Sequence, residues 1–110
     1  MTSVPMLAVL LVGAHSLADY PLQGDFLSKA KNRVAPIAGV PWRQALFAHV
    51  AIHALFVSVI LGIWWLGILE AIVHWFTDDA KCRGRLTFNQ DQAIHFSCKA
   101  LWLVIAVLIV

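Results

Sequence analysis

The chain has 110 residues, of which 61% are hydrophobic and 13% charged, with a formal net charge of +2 and a mean hydropathy of +0.80. Such a length allows one domain, here residues 1–110, and the balance excludes an ordinary soluble protein, in which about a quarter of residues are charged. Nucleic-acid binding is excluded too, because the positive excess is small and no basic face with interleaved aromatics lies outside the apolar stretches.

Hydropathy predicts four membrane-crossing helices, at about 4–20, 42–61, 63–79 and 90–110. Each is near the roughly 20 residues that span a hydrocarbon core, the first and third at the short end. No Lys or Arg precedes the first apolar run, which argues against a cleaved leader, although Ser16-Leu17-Ala18 resembles a small-x-small cleavage site. Pro21 ends that helix. Leu22, Phe26, Leu27 and Ala30 then recur at helical spacing, with Gln23, Asp25 and Lys29 on other faces, and predict a short helix lying along the membrane surface. An irregular loop is the alternative. Pro36 and Pro41 break any helix before Trp42. The second and third helices turn so tightly at Gly62 that they are antiparallel neighbours. Asn89 with Gln92 three residues later resembles a capping box, which starts the fourth helix and puts Asp91 in its first turn, where the helix dipole favours negative charge. The expected architecture is all-α: a four-helix transmembrane bundle with a short interfacial helix between helices one and two.

Lys29, Lys31, Arg33 and Arg43 lie in or beside the first connection, and Lys81, Arg83 and Arg85 in the third, so seven of the eight basic residues fall on one side of an even number of crossings. The positive-inside rule makes that side cytoplasmic and predicts a multi-pass protein of the cytoplasmic (inner) membrane with both termini outside. Tyr20 and Trp42 then mark one interface, and Trp64 with Trp65 the other. Cys82 and Cys98 lack metal-knuckle spacing, and no structural disulfide is expected.

All five histidines have an acid or a second histidine four residues away: His15 with Asp19, His49 with His53, His74 with Asp78, and Asp91 with His95. Chance gives a histidine such a partner about one time in five, so five together are a rare event. The spacing puts each pair on one face of a helix, and these side chains are among the costliest to place in a membrane. Counting outward from Gly62 predicts two layers. Asp19, His49, Asp78 and Asp91 lie toward the cytoplasm, with His15, His53, His74 and His95 one turn deeper. Another turn inward, Glu70 and Lys99 are expected to meet as an intramembrane ion pair.

Neutral imidazole and carboxylate are the usual ligands of zinc and of iron or manganese, and bundle helices present such pairs readily. The expected cofactor is therefore a divalent metal, zinc first and iron or manganese as alternatives. Its candidate ligands are His15, Asp19, His49, His53, His74, Asp78, Asp91 and His95. Eight groups exceed the four of one tetrahedral zinc. Either two ions bind, or some carboxylates orient a ligating histidine. A hydrogen-bonded seam that joins helices without metal is the plainer alternative.

The strings HSLADYPLQGDFLSKAK, HVAIHALF, HWFTDDAK and DQAIHF, in this order, resemble an uncharacterised family of small bacterial and bacteriophage membrane proteins, a domain of unknown function. The resemblance marks His15, Asp19, Gln23, Lys31, His49, His53, His74, Asp78, Lys81, Asp91, Gln92 and His95, with Gln23, Lys81 and Gln92 as supporting groups. Asp79 and Lys99 look like local variations, and no role transfers to Asp79. A looser similarity links this histidine and aspartate placement to membrane-bound metal-dependent hydrolases, by analogy only.

The leading expectation is a membrane protein with a polar site in the cytoplasmic half of the bundle. If it is an enzyme, the expected reaction is metal-assisted hydrolysis of a lipid-linked or phosphate-bearing substrate, with the loop cations as headgroup contacts. No serine nucleophile motif, phosphate loop or H-E-x-x-H signature is present. Alternatives are a proton or ion relay and a phage-associated structural protein. The lipid bilayer is the expected partner. The small size favours a homo-oligomer, yet no small-xxx-small stripe specifies an interface.

Overall fold

The computed structural model describes residues 2–109. Met1 and Val110, the two ends of the expected domain and the last residue of the expected fourth helix, lie outside the described residues. Five helices and no strand occur among the described residues: α1 (Val4–Asp19), α2 (Gly24–Ala30), α3 (Trp42–Leu61), α4 (Trp64–Cys82) and α5 (Phe88–Ile109).

Three boundaries differ from the hydropathy reading by two residues or more, and local chemistry accounts for them. The short helix starts at Gly24 rather than Leu22, because Tyr20 to Gln23 form a turn that Gly24 completes at φ 61, a left-handed conformation that glycine adopts without strain. Helix α4 runs to Cys82 rather than stopping at Asp79. It ends in a Schellman turn: the Gly84 amide donates to the Lys81 carbonyl at 3.0 Å and the Arg85 amide to Ala80 at 2.9 Å, with Gly84 at φ 76. Helix α5 begins at Phe88, and its capping box is Thr87 with Gln90. The Gln90 amide donates to Thr87 Oγ1 at 3.1 Å and the Thr87 amide to Gln90 Oε1 at 2.9 Å. The Asn89–Gln92 box is thereby corrected: Gln92 turns inward, to the site.

Two helices, α3 and α5, are long and apolar enough to cross a membrane. Helix α1 joins α2 through a 78° bend and passes the same test only as part of that bent pair. Helix α4 has 19 residues but carries Glu70, Asp78, Asp79 and Lys81. Those acids are on the inside: Glu70, His74 and Asp78, one turn apart, form a single buried stripe with Thr77 beside it.

The four long helices form a ring in which α1 touches α3 and α5, and α4 touches the same two, while α2 packs on α3. Across this ring the usual distribution of polarity is inverted. Among the described residues, twelve polar or charged ones are buried against ten apolar ones, while Phe47, Val59, Phe76 and Leu108 are among many large apolar side chains that point outward. An outside of this kind matches hydrocarbon better than water. The interior is also divided along its length. Leu11, Val57, Leu66, Trp102 and Ala106 make an apolar cluster toward the Gly62 end, and the polar residues fill the other.

The α3–α4 hairpin is the tightest packing in the fold. Gly62 caps α3 at φ 70, and Gly67 lets the two backbones close: a Cβ there would stand 2.6 Å from the Ala54 carbonyl oxygen and 1.9 Å from Ser58 Oγ. Gly67→Ala is therefore expected to destabilise the protein by about 1–3 kcal/mol through overpacking, outweighing the gain of about 1 kcal/mol in helix propensity. Ser58→Ala should rescue it only in part, since the carbonyl remains. Thermal unfolding in detergent reads both variants, and a stabilised Gly67→Ala would show that the helices are free to separate.

Candidate functional site

The inward faces of α1, α3, α4 and α5 bring five imidazoles together, all buried. His74 lies between His53 and His95, with ring centroids 3.8 Å away on each side. His49 meets His53 and His74 edge-on at 4.8 and 5.1 Å, and His15 stands 5.2 Å from His53 and 5.6 Å from His95.

Three aspartates knit these rings. Asp19 Oδ1 is 2.8 Å from His53 Nε2, 3.3 Å from His49 Nε2 and 3.9 Å from His74 Nε2. The nitrogens of His49 and His74 face each other at 3.3 Å. Asp78 divides its two oxygens. Oδ2 faces His49 Nε2 at 3.3 Å and His74 Nε2 at 3.7 Å, while Oδ1 faces His95 Nε2 at 3.3 Å. Asp91 Oδ1 lies 3.2 Å from the same His95 nitrogen. The expected two layers therefore interlock, with Asp19 reaching the deeper His53 as well as His49.

Two sets of ligand atoms are compact enough to hold a metal ion: Asp19, His49, His53 and His74, and His74, Asp78 and His95, the atoms of each lying within 4.8 Å of one another. Asp91 belongs to neither, and nor does His15. Its Nε2 donates to Gln92 Oε1 at 3.0 Å and sits 3.2 Å from Asp19 Oδ2, so it braces a carboxylate from behind. Gln92 Nε2 in turn donates to Asp19 Oδ2 at 3.0 Å and to Asp91 Oδ2 at 3.3 Å.

Below the cluster, Lys99 Nζ is 2.5 Å from Glu70 Oε1, and Glu70 Oε2 stands 3.4 Å from His74 Nδ1. Trp102 Nε1 donates to Glu70 Oε1 at 3.4 Å. Above the cluster, a cavity of about 310 Å³ is lined by Asp19, Gln23, Lys31, Asp78, Lys81 and Asp91 among others.

The other two supporting groups stand farther from the rings. Gln23 donates to the Asp19 carbonyl oxygen at 3.0 Å, within its own turn. Lys81 is half-buried with its Nζ 5.3 Å over the Phe88 ring. The cation that meets the site is Lys31, buried, with Nζ donating to Asp78 Oδ2 at 2.6 Å. Asp79, to which no role was transferred, is buried and held by Arg33 through two bonds of 2.8 and 2.6 Å, with Arg83 at 3.6 Å. The sequence signal for this was the doublet itself. Adjacent residues on a helix point about 100° apart, so two neighbouring buried acids need two separate cations, and the basic segment after α2 supplies them. Cys82 and Cys98 are free.

A family model described as protein of unknown function (DUF3307) matches residues 6–110, and the chain belongs to that family. No curated protein and no solved structure matches the chain.

Removing one partner of a buried ion pair leaves a bare charge, at a cost of about 3–5 kcal/mol, whereas replacing both is far milder. Glu70→Ala and Lys99→Ala are each expected to lower thermal stability in detergent strongly, and Glu70→Gln with Lys99→Met to recover most of the loss. A double variant no better than either single one would show that the pair contributes nothing.

Proposed function

Starting from membership of a family with no assigned activity, we propose that the chain is a four-helix multi-pass membrane protein that binds a divalent cation at Asp19, His49, His53 and His74 and serves metal-assisted hydrolysis. Zinc is the first choice, with iron or manganese as alternatives. The observation that carries the reading is the spacing of the four ligand atoms. A tetrahedral ion with bonds of about 2.0–2.1 Å sets its ligands about 3.3–3.4 Å apart. Four of the six separations, 2.8, 3.3, 3.3 and 3.9 Å, bracket that edge, and all six lie within 4.8 Å.

Charge supports the same reading. Glu70 is matched by Lys99, and Asp79 by Arg33. Asp19, Asp78 and Asp91 have only Lys31 against them, so with imidazoles in the neutral form that ligates metal the cluster carries two negative charges in excess. One divalent ion cancels them. A fifth coordination position would give the ion a water, which it would make nucleophilic near neutral pH. The neighbouring carboxylates can take up its proton, and the cavity above admits a lipid-linked or phosphate-bearing substrate. In this reading the basic connections face the cytoplasm and both termini lie outside.

Proton relay is the second reading. One observation favours it: polar side chains stand in succession from the Glu70–Lys99 pair to the cavity, with Glu70 Oε2 3.4 Å from His74 Nδ1 and His74 Nε2 3.7 Å from Asp78 Oδ2, gaps that a relay closes by small side-chain movements.

Metal analysis of detergent-purified protein decides between them. About one equivalent of zinc, iron or manganese is expected, lost in His53→Ala, with chelation lowering the melting temperature. Metal-free protein whose melting is indifferent to chelator would overturn the metal reading and leave the relay. Orientation has its own test. Arg85→Cys in a background of Cys82→Ser and Cys98→Ala should react with a membrane-impermeant maleimide in inside-out vesicles and not in intact cells; the reverse pattern would invert the topology.

A further inference from the structure

The metal reading leaves three polar groups idle, and all three line the cavity of about 310 Å³ at the polar end of the ring. Asp91 is the first. Its Oδ2 accepts from Gln92 at 3.3 Å, but the single proton on His95 Nε2 goes to Asp78 Oδ1 at 3.3 Å. Asp91 Oδ1, 3.2 Å from the same nitrogen, is therefore buried with no hydrogen-bond partner among the described residues. Gln23 Oε1 is the second, buried and without a partner too, while its Nε2 is taken by the Asp19 carbonyl. Lys81 is the third. Its Nζ lies over the Phe88 ring, and the ion pairs with lysine or arginine among the described residues are made by Lys31, Arg33, Arg83 and Lys99 instead.

Buried acceptors without donors are costly, and beside a cavity they point to a ligand that brings the donors. Asp91 and Gln23 require N–H groups, and a carboxylate draws a cationic donor most strongly. Lys81 requires an anion. Net charge narrows the ligand further. Asp19, Asp25, Asp78 and Asp91 line the cavity against Lys31 and Lys81, and the divalent ion proposed above brings the balance to zero, so the ligand that fits carries both charges and no net charge. The exposed rings of Tyr20 and Phe88 stand at the same cavity, as aromatic side chains do at a membrane interface.

We infer that the cavity takes a phosphoethanolamine headgroup, its ammonium donating to Asp91 Oδ1 and Gln23 Oε1 and its phosphate held by Lys81. The inference rests on the reading above for the bilayer and for the charge balance, and it names the substrate class of that site. Asp19, a ligand of the proposed ion, lines the same cavity, so the headgroup would lie beside the ion. Choline cannot replace ethanolamine, because a trimethylated nitrogen has no N–H to donate, and a glycerol headgroup brings no cation for Asp91. A bilayer lipid and free phosphoethanolamine offer the same two charged groups, and both meet the same three contacts.

Native mass spectrometry of the full-length chain, in detergent micelles with equal amounts of phosphatidylethanolamine, phosphatidylcholine and phosphatidylglycerol, reads which lipid stays bound. Phosphatidylethanolamine is expected at about one per chain, at least about tenfold above either other lipid. Asp91→Asn and, separately, Gln23→Met, both nearly isosteric, should each cut its preference over phosphatidylcholine to within about threefold. Lys81→Gln should weaken both lipids alike and leave their ratio unchanged, since the phosphate is common to them. Free phosphoethanolamine that displaces the lipid assigns recognition to the headgroup alone, and lipid that resists it adds the acyl chains; either supports the site. Equal or greater retention of either other lipid, or a preference that survives both Asp91→Asn and Gln23→Met, overturns the inference. The melting temperature of each variant reports the fold, and the zinc content of the same samples reports the metal reading on its own. A preference intact in zinc-free protein overturns that reading and keeps this inference, whereas bound zinc with no preference does the reverse. A chain monodisperse in water without detergent overturns the membrane reading and this inference with it.

Discussion

A charge removed from water into a bundle with an apolar outside costs several kcal/mol unless a partner meets it, and this requirement organises the whole interior. Glu70 is met by Lys99, Asp78 by Lys31 and Asp79 by Arg33, while Asp91 has the Gln92 amide on one oxygen. The pairings reach far beyond their own helices. Lys31 and Arg33 come from the connection after α2, so the buried acids at the end of α4 fasten that connection over the polar end of the ring. Arg33 also stacks on Trp42, its guanidinium carbon 4.6 Å from the ring centroid. A segment with Pro36 and Gly39 and little regular structure is thereby tied at its start to the mouth of the site.

The same requirement divides the molecule lengthwise. At the Gly62 end there are no buried charges among the described residues, and apolar packing closes the ring, with Gly67 admitting the Ala54 carbonyl and Leu66, Val57 and Trp102 filling the middle. At the other end, side-chain polarity replaces apolar packing. The Glu70–Lys99 pair marks the boundary, with Trp102 touching both regions: its ring lies in the apolar cluster and its Nε1 donates to Glu70.

How much of this was legible depends on whether the signal is local. Helix number, the tight turn at Gly62 and the existence of the short helix ahead of Pro36 follow from hydropathy and from prolines and glycines, and they differ from the structure at helix ends. Thr87 with Gln90 displaced Asn89 with Gln92, because a box forms where the hydroxyl meets the amide three residues on. The face shared by each i, i+4 pair is likewise written in the spacing. What spacing cannot carry is a contact between side chains 46 to 77 positions apart, as for Arg33 with Asp79 or His15 with Gln92. Gln92 was legible as a capping residue and acts as the amide that joins Asp19 to Asp91. From charge placement Lys31 was legible as a topological signal, and only the family resemblance marked it further, since a buried lysine and an exposed one look alike in sequence.

The helices that contribute to each group of donors show how the site ties the ring together. Asp19 comes from α1, His49 and His53 from α3, and His74 from α4, so an ion held by that group would join three walls of the ring. His74 and Asp78 are on α4 and His95 on α5, so the second group spans the remaining seam. Helix α4 serves both, because His74 and Asp78 stand one turn apart on its buried stripe, and Lys31 holds one Asp78 oxygen in place.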